Sequence, residues 1–299
     1  MPRHTPRPLA DACEDTLVGA LLGFLRILPF RAALAAGRGV GALLGALDRG
    51  HLHLAERQLG EAGFPPEEAA RLARALYAHL GMCVAELAWV ERRVAAGAVG
   101  EWVRIEGLEH VQAAAARGQG FGLVTGHLGN WELGAVAMGS AGVPLSVVAR
   151  PLDNPRLDAR LVALRRAGGS EVIQKRNALR AIREVLSRGR GVVMLIDQDA
   201  REHGVFVDFF GRQASTIPSI AAIALRTGAP LLVTAMRREP GNLTHVLSFE
   251  PVDPPVSTGD GKEDARRLTA LLTARLEARI RQAPEQWLWM HRRWKTRPG

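Results

Sequence analysis

Cysteine and aromatic side chains are scarce in this chain of 299 residues. It contains two cysteines, and phenylalanine, tryptophan and tyrosine together make up 5% of it. Cys13 and Cys83 are too few for a disulfide framework or a cysteine-based zinc site, so a reducing compartment is the default environment. With few aromatic rings, the core must be built mainly from leucine, alanine, valine and isoleucine. The hydrophobic share of 47% is ample for such a core.

An uninterrupted apolar run of membrane-spanning length is also missing. A spanning helix needs about 20 apolar residues, whereas the longest clean run near the N-terminus covers residues 16–25. Arginines and Pro29 interrupt the region that follows, and acidic residues stand where a signal peptide carries positive charge. We therefore predict two helices that lie in the membrane interface, with their arginines reaching towards lipid phosphates. Ordinary buried helices of a soluble domain are the alternative.

Acidic residues are fewer than basic ones, 30 against 39, which gives a formal net charge of +9. A basic chain suits a negative partner such as nucleic acid, an anionic bilayer or an acidic carrier protein, and charge alone does not choose among them. The segment 287–297 mixes tryptophans with basic residues, a pattern that can bind single-stranded nucleic acid. Because no nucleic-acid-binding module accompanies it, we expect no nucleic-acid partner. We expect Trp287 and Trp289 to cover the sheet and the later residues to face an anionic membrane.

Strand-like and helix-like segments alternate after about residue 100. Apolar residues spaced three and four apart predict a helix from Pro65 to Arg92. Segments typical of strands are 102–105, 121–125, 145–149, 192–196, 230–236 and 245–249. This alternation predicts an α/β fold in one structural domain, with a central, largely buried sheet flanked by helices. We divide the chain into an N-terminal helical, membrane-associating region (1–100) and an α/β catalytic region (101–299).

The sequence Gly126-His127-Leu128-Gly129-Asn130-Trp131-Glu132 follows a predicted buried strand. Asn130 is a good N-cap, which places Glu132 in the first turn of the next helix, where positive potential keeps it ionised. An ionised Glu132 can accept a hydrogen bond from one ring nitrogen of His127 and leave the other nitrogen to take a proton from an alcohol. The glycines, including Gly129, would let a substrate approach closely. His127 is therefore our candidate general base and Glu132 its orienting partner.

Spacing alone is a weak signal, since His51 and Glu56, like His245 and Glu250, have the same separation. Five residues along a helix put two side chains well apart, and an odd separation in a strand sends them to opposite faces. Only His127 combines a strand end, flanking glycines and a helix N-terminus, where open α/β sheets place their sites. A purely structural capping motif is the alternative.

Further ordered motifs are Arg150-Pro151, Arg176-Asn177, Asp197-Gln198-Asp199, Phe209-Phe210-Gly211 and the closing segment Pro284–Lys295. Through these motifs and their order, the chain from about Leu17 to Pro298 resembles the lauroyl and myristoyl acyltransferases of lipid A biosynthesis, a branch of the lysophospholipid acyltransferase superfamily. The resemblance implies transfer of an acyl chain from an acyl carrier protein or coenzyme A thioester to a glycolipid hydroxyl. It implies no cofactor, no metal and no covalent acyl-enzyme. It also implies a peripheral or monotopic enzyme at the cytoplasmic face of the inner membrane.

Arginines and aspartates around the motif complete the predicted site. Arg150 ends a predicted strand and could clamp a phosphate or polarise the thioester, although it could also be an ordinary surface arginine. Arg165 or its neighbour matches an arginine that the family keeps near its site. Asp197 and Asp199 follow another strand and would hold Arg150 or the 204–211 loop, and a metal is not expected because no histidine or cysteine ligands accompany them. The predicted substrate-binding set is Gly129, Asn130, Arg150, Arg165, Asp197 and Asp199.

Several alternatives remain open at this stage. The acceptor could be a lipid A precursor, a phosphatidylinositol mannoside or a lysophospholipid, since their acyltransferases look similar. The basic surface favours the acidic carrier protein over coenzyme A as donor. A hydrolase or thioesterase would replace the acceptor with water, but the sequence has no Gly-x-Ser-x-Gly elbow for a serine version.

Overall fold

A computed structural model describes residues 7–143, 145–174, 178–241 and 243–299. Four helices precede the first strand: α1 Pro8–Ile27, α2 Phe30–Leu47, α3 Arg49–Glu61 and α4 Pro66–Ala95. Pro29 lies between α1 and α2, as predicted, because proline has no backbone N–H with which to continue α1.

Among the described residues, seven strands form one central sheet. They are β1 Val103–Glu106, β2 Phe121–Thr125, β3 Leu145–Ala149, β4 Glu171–Gln174, β5 Gly191–Leu195, β8 Leu231–Arg238 and β9 His245–Val252. The strand order is β1-β9-β8-β2-β5-β3-β4, with β8 and β9 antiparallel and the other neighbours parallel. A separate antiparallel hairpin consists of β6 Val205–Phe209 and β7 Arg212–Thr216. The sequence prediction missed this hairpin and the edge strand β4.

Helices cover both faces of the sheet. They are α5 Leu108–Ala116, α6 Trp131–Ser140, α7 Pro155–Ala167, α8 Ala178–Ser187, α9 Ser219–Thr227 and α10 Gly261–Gln282. Successive residues of a strand point to opposite faces, so Leu123 packs in the core with α5 and α6, whereas Val124 packs in the core with α8, α9 and α10. The predicted α/β fold with a buried sheet is confirmed.

Helix α2 packs closely against α4 at glycine positions. A Cβ atom on Gly41 would lie 2.1 Å from the carbonyl oxygen of Tyr77, and one on Gly81 would lie 2.0 Å from that of Gly37. Only glycine permits such close contact between two helix backbones. By length and composition α2 could cross a membrane, yet this face of it is buried against α4.

The opposite side of the two N-terminal helices is apolar and exposed. We call it the outer apolar surface, and its large residues are Leu9, Leu17, Phe24, Ile27, Leu43, Leu44 and Leu47. Arg26 does not reach outward as predicted, because its guanidinium donates to the carbonyl of Ala88 at 2.8 Å and to Glu91 at 2.7 Å. Arg31 and Arg38 are exposed.

The C-terminal segment is largely internal. Trp287 and Trp289 lie in the core, as predicted. Trp294 and Arg293 are also buried, so the prediction that the later residues face a membrane is wrong for them. The guanidinium of Arg293 finds protein acceptors instead of phosphates, chiefly the carbonyl of Ser215 at 2.7 Å.

Candidate active site

His127 and Asp197 meet at the carboxyl ends of two neighbouring parallel strands. Thr125 at the end of β2 lies opposite Leu195 at the end of β5, so the residues that follow are level with each other. Nδ1 of His127 is 2.9 Å from Oδ1 of Asp197, and the backbone N–H of His127 donates to Oδ2 at 2.6 Å. The carboxylate bonded to His127 is therefore Asp197, and not Glu132 as the sequence suggested.

Asp197 is almost completely buried, and Oδ2 also accepts from the indole N–H of Trp287 at 2.8 Å. Burial alone would raise the pKa of Asp197. The charge of His127 and its hydrogen bonds outweigh burial, so the pKa of Asp197 lies below its usual value. An ionised Asp197 makes Nδ1 of His127 a donor, which leaves the lone pair of the neutral ring on Nε2.

The same partners set the pKa of His127. Its side chain is 18% exposed, and burial opposes charging of the ring. The negative charge and hydrogen bond of Asp197 outweigh burial and raise the pKa of His127, with a further contribution from Glu132. The ring also packs edge-to-face on Trp131, with centroids 5.0 Å apart. His127 is thus oriented on two sides.

Glu132 forms a buried ion pair with Arg165. Nε of Arg165 donates to Oε2 at 2.8 Å, and its terminal nitrogen donates to Oε1 at 2.6 Å. The indole of Trp131 donates to Oε1 at 3.1 Å. This two-point contact joins the first turn of α6 to the end of α7 and is the strong geometry for arginine and a carboxylate. Of the two adjacent arginines, Arg165 is buried in this contact, whereas Arg166 is exposed.

The glycines of the motif allow other parts of the protein to approach closely. A Cβ atom on Gly126 would lie 2.7 Å from Oδ2 of Asp197. Gly129 has φ +63°, and a Cβ there would lie 2.1 Å from the carbonyl oxygen of Met236. Gly129 therefore allows the close approach of β8, and its contact with a substrate stays a prediction.

Asn130 caps α6, as predicted, and its side chain is buried. Its oxygen accepts from the N–H of Leu133 at 3.2 Å, and its amide donates to Glu86 at 2.8 Å. Glu86 also binds Arg238 and His245, and these partners outweigh burial and lower its pKa to about 2. Because Asn130 is enclosed by this network, it positions the turn after His127 and is not placed to touch a substrate.

Arg150 and Asp199 have partners other than those expected. Arg150 is exposed and donates to Asp153 at 3.1 Å, so neither Asp197 nor Asp199 holds it. It lines a small cavity of about 100 Å³ together with Arg165 and Arg166. This keeps Arg150 accessible to an anionic group near the site. The predicted Arg176-Asn177 motif lies outside the described residues.

Asp199 is bonded to the protein on both sides. It accepts from the N–H of Arg201 at 3.3 Å and from the hydroxyl of Thr296 at 2.9 Å. The second bond attaches the C-terminal segment to the loop after β5. Asp199 therefore holds the C-terminal segment instead of Arg150, and its contact with a substrate stays a prediction.

The C-terminal segment forms one side of the site, which the sequence prediction missed. The N–H of Leu288 donates to the carbonyl of His127 at 3.0 Å, and Leu128 and Trp287 form an antiparallel bridge. The ring of His291 bonds the carbonyl of Asp197 at 2.8 Å. The density of tryptophan, histidine and arginine was the available signal, and the prediction used it to place Trp287 and Trp289 on the sheet and the later residues at the membrane.

An apolar cavity of about 570 Å³ lies between the N-terminal helices. Its lining includes Leu21, Leu25, Val40, Leu44, Leu47, Tyr77, Leu80, Val84 and Met290. Met290 directly precedes His291, whose ring centroid is 6.3 Å from that of His127. Through Met290 the lining of the cavity is continuous, along the chain, with the segment that carries His291.

The arrangement supplies the parts of a base-catalysed acyl transfer. His127 has an ionised partner, and the first amides of α6 have no acceptor within their own helix and point positive potential towards this edge of the sheet. Within the described ranges, no group of three or more histidine, cysteine, aspartate or glutamate side chains is arranged to hold a metal ion.

Comparisons with known proteins point to one family. A family model described as bacterial lipid A biosynthesis acyltransferase matches residues 10–296. The lipid A biosynthesis lauroyltransferase of Escherichia coli (strain K12) is 30% identical over 282 residues, covering 91% of this chain and 88% of that protein. The palmitoleoyltransferase of the same organism is 28% identical, with coverage of 91% and 87%. The phosphatidylinositol mannoside acyltransferase of Mycolicibacterium smegmatis is 27% identical over 296 residues, with coverage of 96% and 93%.

Proposed function

Because the chain belongs to the family of bacterial lipid A biosynthesis acyltransferases, we propose that it moves a fatty acyl chain from an acyl carrier protein thioester to a glycolipid hydroxyl. The chain is an acyltransferase of the lipid A or phosphatidylinositol mannoside type, as its family and relatives indicate. A lipid A precursor is our first choice of acceptor, and a mannoside is the second. Coenzyme A is the alternative carrier.

The observation that carries the proposal is the His127–Asp197 pair at the sheet edge. Nε2 of His127 takes the proton of the acceptor hydroxyl while the hydroxyl oxygen forms a bond to the thioester carbonyl carbon. Asp197 stabilises the resulting imidazolium, as the acid does in a hydrolase triad. The amides of Trp131 and Glu132 stabilise the developing oxyanion. The carbon–sulfur bond then breaks, and the leaving thiolate takes the proton back from His127.

The apolar cavity is the place that we propose for the acyl chain. It is lined almost entirely by hydrocarbon side chains, and its lining residue Met290 directly precedes His291 in the chain. At about 570 Å³ it is several times larger than the roughly 150 Å³ cavity that accepts a benzene molecule. Burial of an aliphatic chain there would supply binding free energy from the hydrophobic effect.

The outer apolar surface is the proposed membrane contact. It lies on α1 and α2, next to the walls of the apolar cavity, so a lipid acceptor and an acyl chain could reach the site from the bilayer. The exposed Arg31 and Arg38 and the net charge of +9 favour an anionic leaflet. Because the glycine face of α2 is buried against α4, we propose that the protein is peripheral or monotopic. The cytoplasmic face of the inner membrane, which the family resemblance implies, is the location that we propose.

An acyl-transfer assay on the purified protein in detergent tests the proposal. Radiolabelled lauroyl or myristoyl chains would be offered on acyl carrier protein and on coenzyme A, with lipid A precursor, phosphatidylinositol mannoside and lysophospholipid as acceptors. We expect an acylated product that is lost in His127→Ala and kept in His203→Ala, whose histidine is exposed at the surface. A fully active His127→Ala protein would refute the mechanism, and free fatty acid without acylated product would indicate hydrolysis.

A further inference from the structure

The indole N–H of Trp287 is directed at the acid partner of the candidate base. Nε1 of Trp287 lies 2.8 Å from Oδ2 of Asp197, on the side of the carboxylate away from the ring of His127. Both Trp287 and Asp197 are almost completely buried, so water does not compete for this bond. An indole N–H can only donate, and a charge-assisted hydrogen bond of this kind is among the stronger ones.

The backbone around Trp287 is held in register with the site. Residue 287 bridges to Leu128, and the following N–H donates to the carbonyl of His127. The ring nitrogens of His291 lie 2.8 Å from the carbonyl oxygen of Asp197 and 2.5 Å from that of Leu288, and the neutral ring donates to one of these two oxygens. Trp287 is thus attached both to the chain that carries the base and to the chain that carries its partner.

From this geometry we infer that Trp287 is a positioning residue, which orients Asp197 through the indole N–H and thereby tunes the basicity of His127. The inference rests on the proposed function of His127 as the base. The N–H presents the positive end of its dipole to the carboxylate. Without it, the negative potential at His127 is stronger, so the ring holds its proton more tightly and the protonated form persists to higher pH.

Other charged groups face the same pair and remain unchanged by this perturbation. Glu132 and Arg165 act on His127 from α6 and α7, and His291 faces it from the C-terminal segment. Arg293 lies near Asp197 and Asp199. A difference between two tryptophan variants therefore reports the indole bond and not these groups.

The chain offers a matched control in Trp289. It is equally buried, belongs to the same aromatic cluster with ring centroids 4.6 Å from Trp287, and donates its indole N–H to the carbonyl of Pro284 at 2.7 Å. Trp287→Phe and Trp289→Phe remove the same atoms and the same kind of hydrogen bond. Only the first change removes a donor to Asp197.

The pH dependence of kcat/KM for acyl transfer is the first measurement. For Trp287→Phe we expect the acidic limb, which reports deprotonation of His127, to move to higher pH by roughly half a unit. For Trp289→Phe we expect the limb to stay in place even if the overall rate falls. An unmoved limb in Trp287→Phe, or an equal shift in both variants, would overturn the inference.

Nuclear magnetic resonance separates this inference from the proposed function. The His127 ring signals of histidine-labelled protein, assigned with His127→Ala, would be titrated in the wild type and in both variants without any substrate. A shift confined to Trp287→Phe supports the inference even if no acyl transfer is found, whereas active enzyme without such a shift refutes the inference alone.

If Trp287→Phe does not fold, the wild-type indole signals provide the test. The Nε1–H resonance of Trp287 should move with the titration of His127, and that of Trp289 should not. A Trp287 resonance whose position does not change as His127 titrates would refute the inference.

Discussion

Replacement of Asp197 by asparagine should disable the base without disturbing the fold. Oδ2 of Asp197 accepts from two N–H groups, the backbone of His127 at 2.6 Å and the indole of Trp287 at 2.8 Å. Neither group can accept a hydrogen bond, so the carbonyl oxygen of the new amide must take this position. Its NH₂ then faces Nδ1 of His127, which has to accept. The ring proton moves to Nε2, and the lone pair that would take the substrate proton is lost.

The expected loss in kcat is large. In a serine protease, the aspartate-to-asparagine change in the triad puts the histidine in the same wrong tautomer and lowers kcat about 10⁴-fold. We expect a comparable loss for Asp197→Asn. The change in stability should depend on pH. The pKa of Asp197 is lowered on folding, so its stabilising contribution is lost as pH falls below about 4, and the pKa of His127 is raised, so its contribution is lost as pH rises above about 6.5. The stability difference from wild type should therefore be largest between these two values.

The assay is single-turnover acyl transfer, with urea unfolding at several pH values on the same preparations. Asp199→Asn is the matched control, because Asp199 follows the same strand but binds Arg201 and Thr296 instead of His127. We expect the control to keep its rate within a few-fold. A folded Asp197→Asn protein that retains more than about a tenth of the wild-type rate would refute the tautomer argument.

Three further perturbations follow from the same contacts. Glu132→Gln leaves the buried Arg165 without its ionised partner and should lower the free energy of unfolding by about 3–5 kcal/mol. Adding Arg165→Met to Glu132→Gln should restore stability in urea melts but not activity. A double variant that is as unstable as Glu132→Gln alone would contradict this. Gly129→Ala places a Cβ against a backbone carbonyl at positive φ and should cost at least about 1–3 kcal/mol in thermal melts, so an unchanged Tm would count against it. Val40→Phe fills part of the apolar cavity and should shift donor preference towards shorter acyl chains in a competition assay. Leu43→Phe, on the exposed side of α2, should not. The same donor preference in both variants would show that the cavity does not select the acyl-chain length.

Local patterns were enough to predict the fold class and to single out His127 as the candidate base. Strands β2 and β3 were predicted with the bounds that the structure shows, because apolar periodicity and turn residues act over a few neighbouring positions. The hairpin β6–β7 and the edge strand β4 were missed, since they lack a long apolar pattern and are stabilised by packing against other elements. His127 was identified by a strand end followed by a helix N-cap, which are also local features.

The partners of the site residues depend on contacts between distant segments. The choice of Asp197 over Glu132 for His127 requires β2 and β5 to be neighbours, 70 residues apart in sequence, and strand order is not encoded in local periodicity. Glu132 acts on His127 through its charge, but only the packing of α6 on α7 pairs it with Arg165. The burial of the C-terminal tryptophans beside Asp197 likewise depends on how the last segment crosses the sheet edge. The sequence alone determined the fold class, most of the elements and the candidate base. The tertiary structure decided which charges meet, because burial and distance set the strength of each charge interaction.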